Sequence, residues 1–428
     1  MTWKPRHSVL SILSAAYLLC YGARMMMGSA IPFIAKDFNL SPLAMGGVLS
    51  AFFMGYSVMQ IPGGLLVDRF GPNRVLTAAV AGWSLFTAAT GLATSLVVLV
   101  VVRVLFGVTE APFPSSASKA LALLYPAAEL GRATGLMLSA TQLGASLAPP
   151  LVAMLVLSGG WRLAFFSLLV PGLLVAIVIK VWVKDSPAPD LAAPDATGAN
   201  AEAPAAHGDP SLGSPVAGLK QSLHRPAVLW LFGAAFFSNL ANWGLMNWLP
   251  TYLLQARGFS IAQMGAFASL PSLAGSLGYI VGGQIADRWF NQRRQLPVLT
   301  GLTLSALFTY LAATAATGEQ AIAHLVGAYL FLSVADSGIS TLPMILVPRN
   351  AIGGAYGLVN TGSQLAGFLS PLLVGYLLDL THGNFTLVFY GFVGCLLAAA
   401  LSASRIRQNT PIGTGGGSRQ PLAETSRG

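Results

Sequence analysis

Arg24 lies inside an almost uninterrupted apolar run, Val9 to Phe33, within the stretch CYGARMMMG (20–28). An arginine near the middle of a membrane-spanning helix costs roughly 2.5–3.5 kcal/mol on insertion scales, so it needs a partner or a task. Tyr17, Tyr21, Arg24 and Gly28 are spaced 4, 3 and 4, which puts them on one helical face. Two phenols, a guanidinium and a gap suit a small polar cavity. A guanidinium binds a carboxylate through two parallel hydrogen bonds, which a lysine does not. These residue types therefore point to recognition of an organic carboxylate. The alternative is an arginine paired inside the protein to lock two helices, with Glu110 as its partner.

Arg103, Gly107, Glu110 and Pro114 repeat the 4, 3, 4 spacing. Arg103 and Glu110 are two helical turns apart, roughly 10 Å at 1.5 Å per residue, too far to pair without movement. A carboxyl group in low dielectric favours its neutral form, which is what proton coupling requires of an acid. For Glu110 the alternative is a fixed ion pair; for Arg103 it is a structural role. Asp336, in FLSVADSGIS (331–340), is the fourth ionisable residue deep in an apolar run. It reads as a second proton site or as part of a Ser/Asp hydrogen-bonded kink. Uncharged polar residues at mid-run are Tyr56, Gln142, Asn239, Trp243, Asn360 and Gln364. Asn239 and Trp243 are four apart, as are Asn360 and Gln364, so each pair shares a face. Amides and a tyrosine suit ligand hydroxyls and Trp243 suits a ring. Interhelical hydrogen bonds, worth about 0.6 kcal/mol each, are the competing reading.

These side chains must be carried by membrane helices. The 428 residues are 54% hydrophobic and only 9% charged, against about 25% charged for a soluble protein. Twelve apolar runs follow one another at about 8–30, 43–67, 75–93, 96–118, 132–157, 161–183, 226–254, 261–285, 296–316, 321–346, 353–378 and 385–404. The expected class is an all-α integral membrane protein of twelve transmembrane helices in two pseudo-symmetric bundles. The first run is too long for a signal-peptide core and leads straight into the second. With the N-terminus inside, 18 of the 23 lysines and arginines face the cytoplasm. Lys36, Arg162 and Arg257 fall outside, and Arg24 and Arg103 fall within spans. That bias predicts an inner (plasma) membrane protein with both termini cytoplasmic. The net charge of +9 is then a topology signal and not a nucleic-acid surface. Cys20 and Cys395 both fall in spans, so no disulfide is expected. The five histidines are scattered, and there is no phosphate loop or metal-spaced His/Cys cluster. No cofactor and no enzyme chemistry are expected.

Segment 184–225 is rich in Ala, Pro, Gly and Asp and nearly free of large apolar residues, so it reads as a disordered cytoplasmic linker. It separates a six-helix bundle, 1–183, from a second, 226–404, and 405–428 reads as a disordered tail. IPGGLLVDRFG (61–71) and IVGGQIADRWF (280–290) place Gly-Gly-x-x-x-Asp-Arg at the same point of each half, 219 residues apart. Paired glycines let helices approach closely. An acid and a base at a helix end can cap it and pair across the loop. Asp68, Arg69, Asp287 and Arg288 are thus candidates for a conformational latch, with Arg103 as a gating residue. Parallel halves holding cargo between them at mid-membrane is a transporter plan.

The loop after the second span resembles the signature of the major facilitator superfamily in Gly64, Leu66, Asp68, Arg69 and Gly71. It departs at Pro72 and Asn73, with Arg74 one place late. Arg103 and Gly107 are similar to the superfamily's Arg-x-x-x-Gly pattern on the fourth span. CYGAR, QIPGG and GVTEAPFPS together resemble the anion:cation symporter family. The resemblance covers all twelve spans and implies proton-coupled transport of sugar acids or other organic anions, with Glu110 at the place of a proton-carrying glutamate. The family commonly has an acid directly before the first-span arginine; here Ala23 stands there, so one proton per monoanion is the expectation. The expected partners are an organic carboxylate, protons and the lipid bilayer, with the chain acting as a monomer. An exporter or antiporter of the same fold, or a transport-dead sensor, are the alternatives.

Overall fold

The computed structural model describes residues 5–185, 222–288, 290, 293, 295–347 and 351–406. Most of the expected linker and nearly all of the expected tail lie outside the described residues. In chain order the helices are α1 (Pro5–Phe38), α2 (Pro42–Phe70), α3 (Pro72–Gly91), α4 (Leu96–Glu110), α5 (Phe113–Ala122), α6 (Ala127–Gly159), α7 (Trp161–Ser167) and α8 (Leu169–Trp182). Then come α9 (Pro226–Gln255), α10 (Ile261–Arg288), α11 (Gln295–Thr314), α12 (Gly318–Thr341), α13 (Pro343–Leu346), α14 (Ile352–Leu380) and α15 (Phe385–Ser404).

The fifteen described helices form twelve rods, because three rods are interrupted: one at Leu168 and two at prolines. A proline lacks the backbone donor and disfavours helix in the residue before it. Pro112 separates α4 from α5, and Pro343 separates α12 from α13. The first rod runs to Phe38, beyond the expected end, carrying Pro32 inside it. Eleven rods have the length and apolarity of a membrane span; α3 is the twelfth. Its polar residues are satisfied locally: Ser84 Oγ donates to the Val80 carbonyl at 2.6 Å and Thr87 Oγ1 to that of Trp83 at 2.7 Å. The rod packs against α4 and α8 with Trp83 fully buried.

One end of the array carries most of the basic residues, among them Arg69, Arg74, Lys119, Lys184 and Arg225; this is the basic end. The opposite, far end carries Lys36, Arg162 and Arg257. At the basic end Asn73 stands where the superfamily signature is broken, and it has its own task. Its side-chain amide donates to the carbonyls of Ile179, Lys180 and Val183, closing the C-terminus of α8. Its backbone N–H donates to Asp185 Oδ1 at 2.7 Å.

The two halves, α1–α8 and α9–α15, meet along three seams: α2 with α14, α6 with α10, and α1 with α9. The first is sealed at the far end. Gly46 lies so close to Pro371 that a Cβ there would fall on its carbonyl oxygen. Leu43 N–H donates to Asp379 Oδ2 at 3.0 Å across the halves, where the carboxylate also meets the N-terminus of α2. Gly265 of α10 packs on Ala153 of α6 in the second seam. The described hydrogen bonds and glycine contacts between the halves lie at mid-depth or toward the far end, so the cleft between them opens at the basic end.

Gly46→Ala should therefore loosen the far seal, at about 1–3 kcal/mol for an overpacked contact. A cysteine probe at Leu43 should then react with an impermeant maleimide about tenfold faster or more than in the Gly46 background. Unchanged labelling would show that the seam absorbs the methyl group.

Candidate functional site

Arg24 of α1 meets Glu110 of α4 at mid-depth. Arg24 Nη2 donates to Glu110 Oε1, and both side chains are buried. Four rings surround the guanidinium, with centroids 4.5 Å (Phe52), 4.7 Å (Tyr21), 5.2 Å (Tyr56) and 5.9 Å (Trp243) from its carbon. Cation–π contacts of this kind strengthen when water is excluded. Three rings come from α1 and α2, and Trp243 comes from α9, so the cage spans the two halves. Among the described residues Arg24 Nε and Glu110 Oε2 have no close hydrogen-bond partner, and the Cys20 thiol lies beside the Glu110 carboxylate. The pair thus keeps one donor and one acceptor in reserve.

The helices that hold this pair are brought together by small residues. A Cβ on Gly55 of α2 would fall on the Val104 carbonyl, and one on Gly107 of α4 on the Phe52 carbonyl. With α2 and α4 this close, Phe52 and Tyr56 must project into the space beside Arg24. Toward the far end, Met25, Ala145, Ala148, Trp243 and Met246 form an apolar plug over the site.

The sequence candidates separate into groups. Arg24, Tyr21, Tyr56, Trp243 and Glu110 are brought together. Tyr17, one turn from Tyr21, is buried with its ring 4.7 Å from that of Phe113 and belongs to the packing beneath the site. Arg103 does not pair with Glu110. It is buried, its guanidinium carbon 4.5 Å from the Phe106 ring and 5.8 Å from that of Phe52, with Nε and Nη1 unpartnered. Gln142 of α6 faces Gly275 of α10 across the second seam. Asn239 is committed: its amide donates to the Ala235 carbonyl at 2.9 Å and to Ser363 Oγ at 3.2 Å, tying α9 to α14. Asn360 and Gln364 of α14 are half-buried and make no side-chain hydrogen bond among the described residues. Asp336 of α12 is half-buried, and its carboxylate is unpaired among the described residues.

Of the latch candidates, Asp68 and Arg69 are engaged within their own half in this conformation. Asp68 Oδ1 accepts from Lys119 Nζ of α5 at 2.7 Å, within the same half. Arg69 turns toward the Phe70 ring, 5.2 Å away. In the second copy Arg288 is exposed at the end of α10, and the side chain of Asp287 lies outside the described residues.

Phe52, Tyr279 and Tyr356 were missed, although spacing signals two of them. Phe52 is four before Tyr56; Tyr356, Asn360 and Gln364 run at intervals of four. The phenols of Tyr21, Tyr279 and Tyr356 lie within electrostatic range of one another. They come from α1, α10 and α14, so they line the cleft.

Two six-rod halves around a central cleft, with an ion pair at mid-depth, are the architecture of a multi-pass membrane transporter. The chain belongs to the major facilitator superfamily, whose family model matches residues 13–371. It is 33% identical over 407 residues to the probable sulfoacetate transporter SauU of Cupriavidus necator, covering 94% of this chain and 93% of that protein. It is 28% identical to the hexuronate transporter of Bacillus subtilis, covering 94% of each chain. Against the probable galactarate/D-glucarate transporter GarP of Escherichia coli it is 31% identical, covering 92% of this chain and 93% of that one. The fold is shared with an inward-facing bacterial homolog of the human lysosomal transporter Spinster at TM-score 0.77, 18% identity and 95% coverage of both chains.

Arg24→Lys keeps the charge but loses the planar fork. It should leave folding unchanged and weaken carboxylate binding by about tenfold or more, about 1.4 kcal/mol. Calorimetry with a panel of sugar acids and short carboxylates measures this. Binding within twofold of the unmodified protein would make Arg24 a purely structural partner of Glu110.

Proposed function

We propose that this chain is a secondary active transporter that takes up a small organic carboxylate together with protons, by alternating access. The observation that carries the reading is the buried Arg24–Glu110 pair, placed in an aromatic cage between the halves. A cargo carboxylate is a chemical copy of Glu110's carboxylate and can replace it on Arg24. When it does, Glu110 loses its counter-charge and is best held neutral. Proton binding and anion binding then favour each other, which is coupling, and by linkage the effect is reciprocal.

The lysine and arginine bias supports a cytoplasmic basic end in an inner or plasma membrane. On that orientation the cleft described here faces the cytoplasm. The halves 1–183 and 226–404 would rock about the cage, with 184–225 as a tether, 405–428 as a tail and both termini inside. Asp68, Arg69, Asp287 and Arg288 lie where the basic end must close in the opposite state. Relatives named for sulfoacetate, hexuronate, galactarate and D-glucarate support a small, polar, carboxylate-bearing cargo. Tyr21, Tyr56 and Trp243 around Arg24, with Gln142, Asn360 and Gln364 further along the cleft, offer phenol, indole and amide groups for its remainder. Each half supplies part of this lining, so one chain holds a whole site and acts as a monomer.

Glu110→Gln mimics the protonated acid permanently. It should still bind anion, with less pH dependence, since each pKa unit of linkage is worth about 1.4 kcal/mol. Substrate-for-substrate exchange in loaded proteoliposomes should survive, because the loaded carrier needs no proton change. Accumulation driven by a pH gradient should fail. Gradient-driven accumulation at the wild-type rate would remove Glu110 as the coupling acid.

A further inference from the structure

Asp336 stands apart from the Arg24–Glu110 pair. It sits on α12, in the half opposite Glu110, at mid-depth and half-buried. Its carboxylate takes part in no hydrogen bond or ion pair among the described residues. The hydroxyls around it are committed elsewhere. Ser337 Oγ donates to the Val334 carbonyl at 2.9 Å, and Ser340 Oγ to the backbone carbonyl of Asp336 at 2.9 Å. Tyr279 of α10 shares a hydrogen bond with Ser340 Oγ at 3.0 Å. Tyr329, on Asp336's own helix, reaches the Asn242 carbonyl of α9 at 3.4 Å. On α11, Gly301 packs against Phe331 and Ala335 beside it. The side of α14 that lines the cleft offers Tyr356. No lysine or arginine of the second half lies between the helix ends, so no cation there can offset Asp336. An ionised carboxylate at this depth without a partner is costly, and protonation removes the cost.

We infer that Asp336 is a second proton-binding site, on the half opposite Glu110, so that the carrier moves two protons per cycle. This rests on the transport reading above and revises the expectation of one proton drawn from Ala23. The balance of charge is simple. Arg24 and Arg103 carry two positive charges at mid-depth, and Glu110 and Asp336 two negative ones. A monoanion on Arg24 is balanced by one proton on Glu110. The second proton, on Asp336, then makes uptake of a monoanion carry one net positive charge inward, while a dianion enters without net charge. Asp336 is reached from the cleft past Tyr279 and Tyr356, and Tyr21 continues that line of phenols to the Arg24 cage. Both acids therefore exchange protons with the same compartment in a given conformation.

The test is infrared titration of the purified, full-length protein from mildly acidic to mildly alkaline pH, which needs no cargo. The wild type should lose a protonated-carboxyl band across that range, which Asp336→Asn removes and Glu110→Gln leaves in place. If Asp336→Asn does not fold, Asp336→Glu should fold and move its band instead. If neither Asp336 variant alters a band, Asp336 stays ionised and the inference is overturned. A carboxylate band that responds to sodium at constant pH and is lost in Asp336→Asn would make this a metal-cation site and overturn it equally. Proteoliposomes with D-glucuronate, a monoanion, as the probe supply the second readout. An inside-negative valinomycin potential should accelerate wild-type uptake and have no effect on Asp336→Asn. Equal voltage dependence in both would overturn the two-proton cycle. Glu110→Gln that kept gradient-driven accumulation would instead unseat the coupling reading, leaving the Asp336 band in place.

Discussion

A guanidinium and a carboxylate at mid-membrane depth can each stay charged only because the other is there. Water stabilises an isolated ion far better than the interior of a helix bundle does, and the loss is repaid by contact at short range. Arg24 and Glu110 make that contact, and the surrounding architecture follows from keeping it. The close crossing of α2 and α4 brings Phe52 and Tyr56 onto the guanidinium. The plug of Met25, Ala145, Ala148 and Met246 keeps water from the far end away. Trp243 extends the cage into the second half, so the state of the pair is felt on both sides of the cleft.

The halves do different work. The first holds three of the four mid-depth charges and the whole ion pair. The second contributes Trp243, the unengaged amides of Asn360 and Gln364, and one acid. The seams are asymmetric in depth as well. At the far end backbone meets backbone at Gly46 and Pro371, and Asp379 ties α14 to α2. At the basic end Asp68 is engaged with Lys119 in its own half, so it holds nothing across the cleft in this conformation. Asn73, which breaks the superfamily signature, closes α8 instead and fixes the α2–α3 turn against the start of the segment joining the halves.

The rods were legible because a membrane span is a statement about length and apolarity, and most of the run boundaries fall within a few residues of the helices. Prolines at 112 and 343 were visible, yet whether a proline kinks or breaks a rod depends on neighbours that satisfy the freed carbonyls, and those are set by packing. Arg24 and Glu110 were legible as lone charges at helical spacing. That they pair was left open, since spacing along one helix carries no information about which face of another helix meets it. Phe52 escaped for a related reason: its spacing of four from Tyr56 puts it on that face, but an apolar ring in an apolar run marks no site until a cation is placed against it. The contact of Asp68 with Lys119 carried no sequence signal, because Lys119 comes from a different helix, α5, 51 positions along the chain.

The charges also explain why a carrier of this kind can move at all. With both acids ionised, the first half carries one net positive charge at mid-depth and the second one net negative charge. Arg103, with two unpartnered nitrogens, keeps the first half positive even when Arg24 is satisfied by Glu110. In the cycle proposed above, a cargo anion on Arg24 with Glu110 neutral leaves that charge balance unchanged, and a proton on Asp336 removes the second half's charge. What then resists rocking is contact along the seams, short-ranged and lost over small displacements. On that proposal, charge neutralisation by cargo and protons leaves the choice of conformation to helix packing, where a few glycines set the balance.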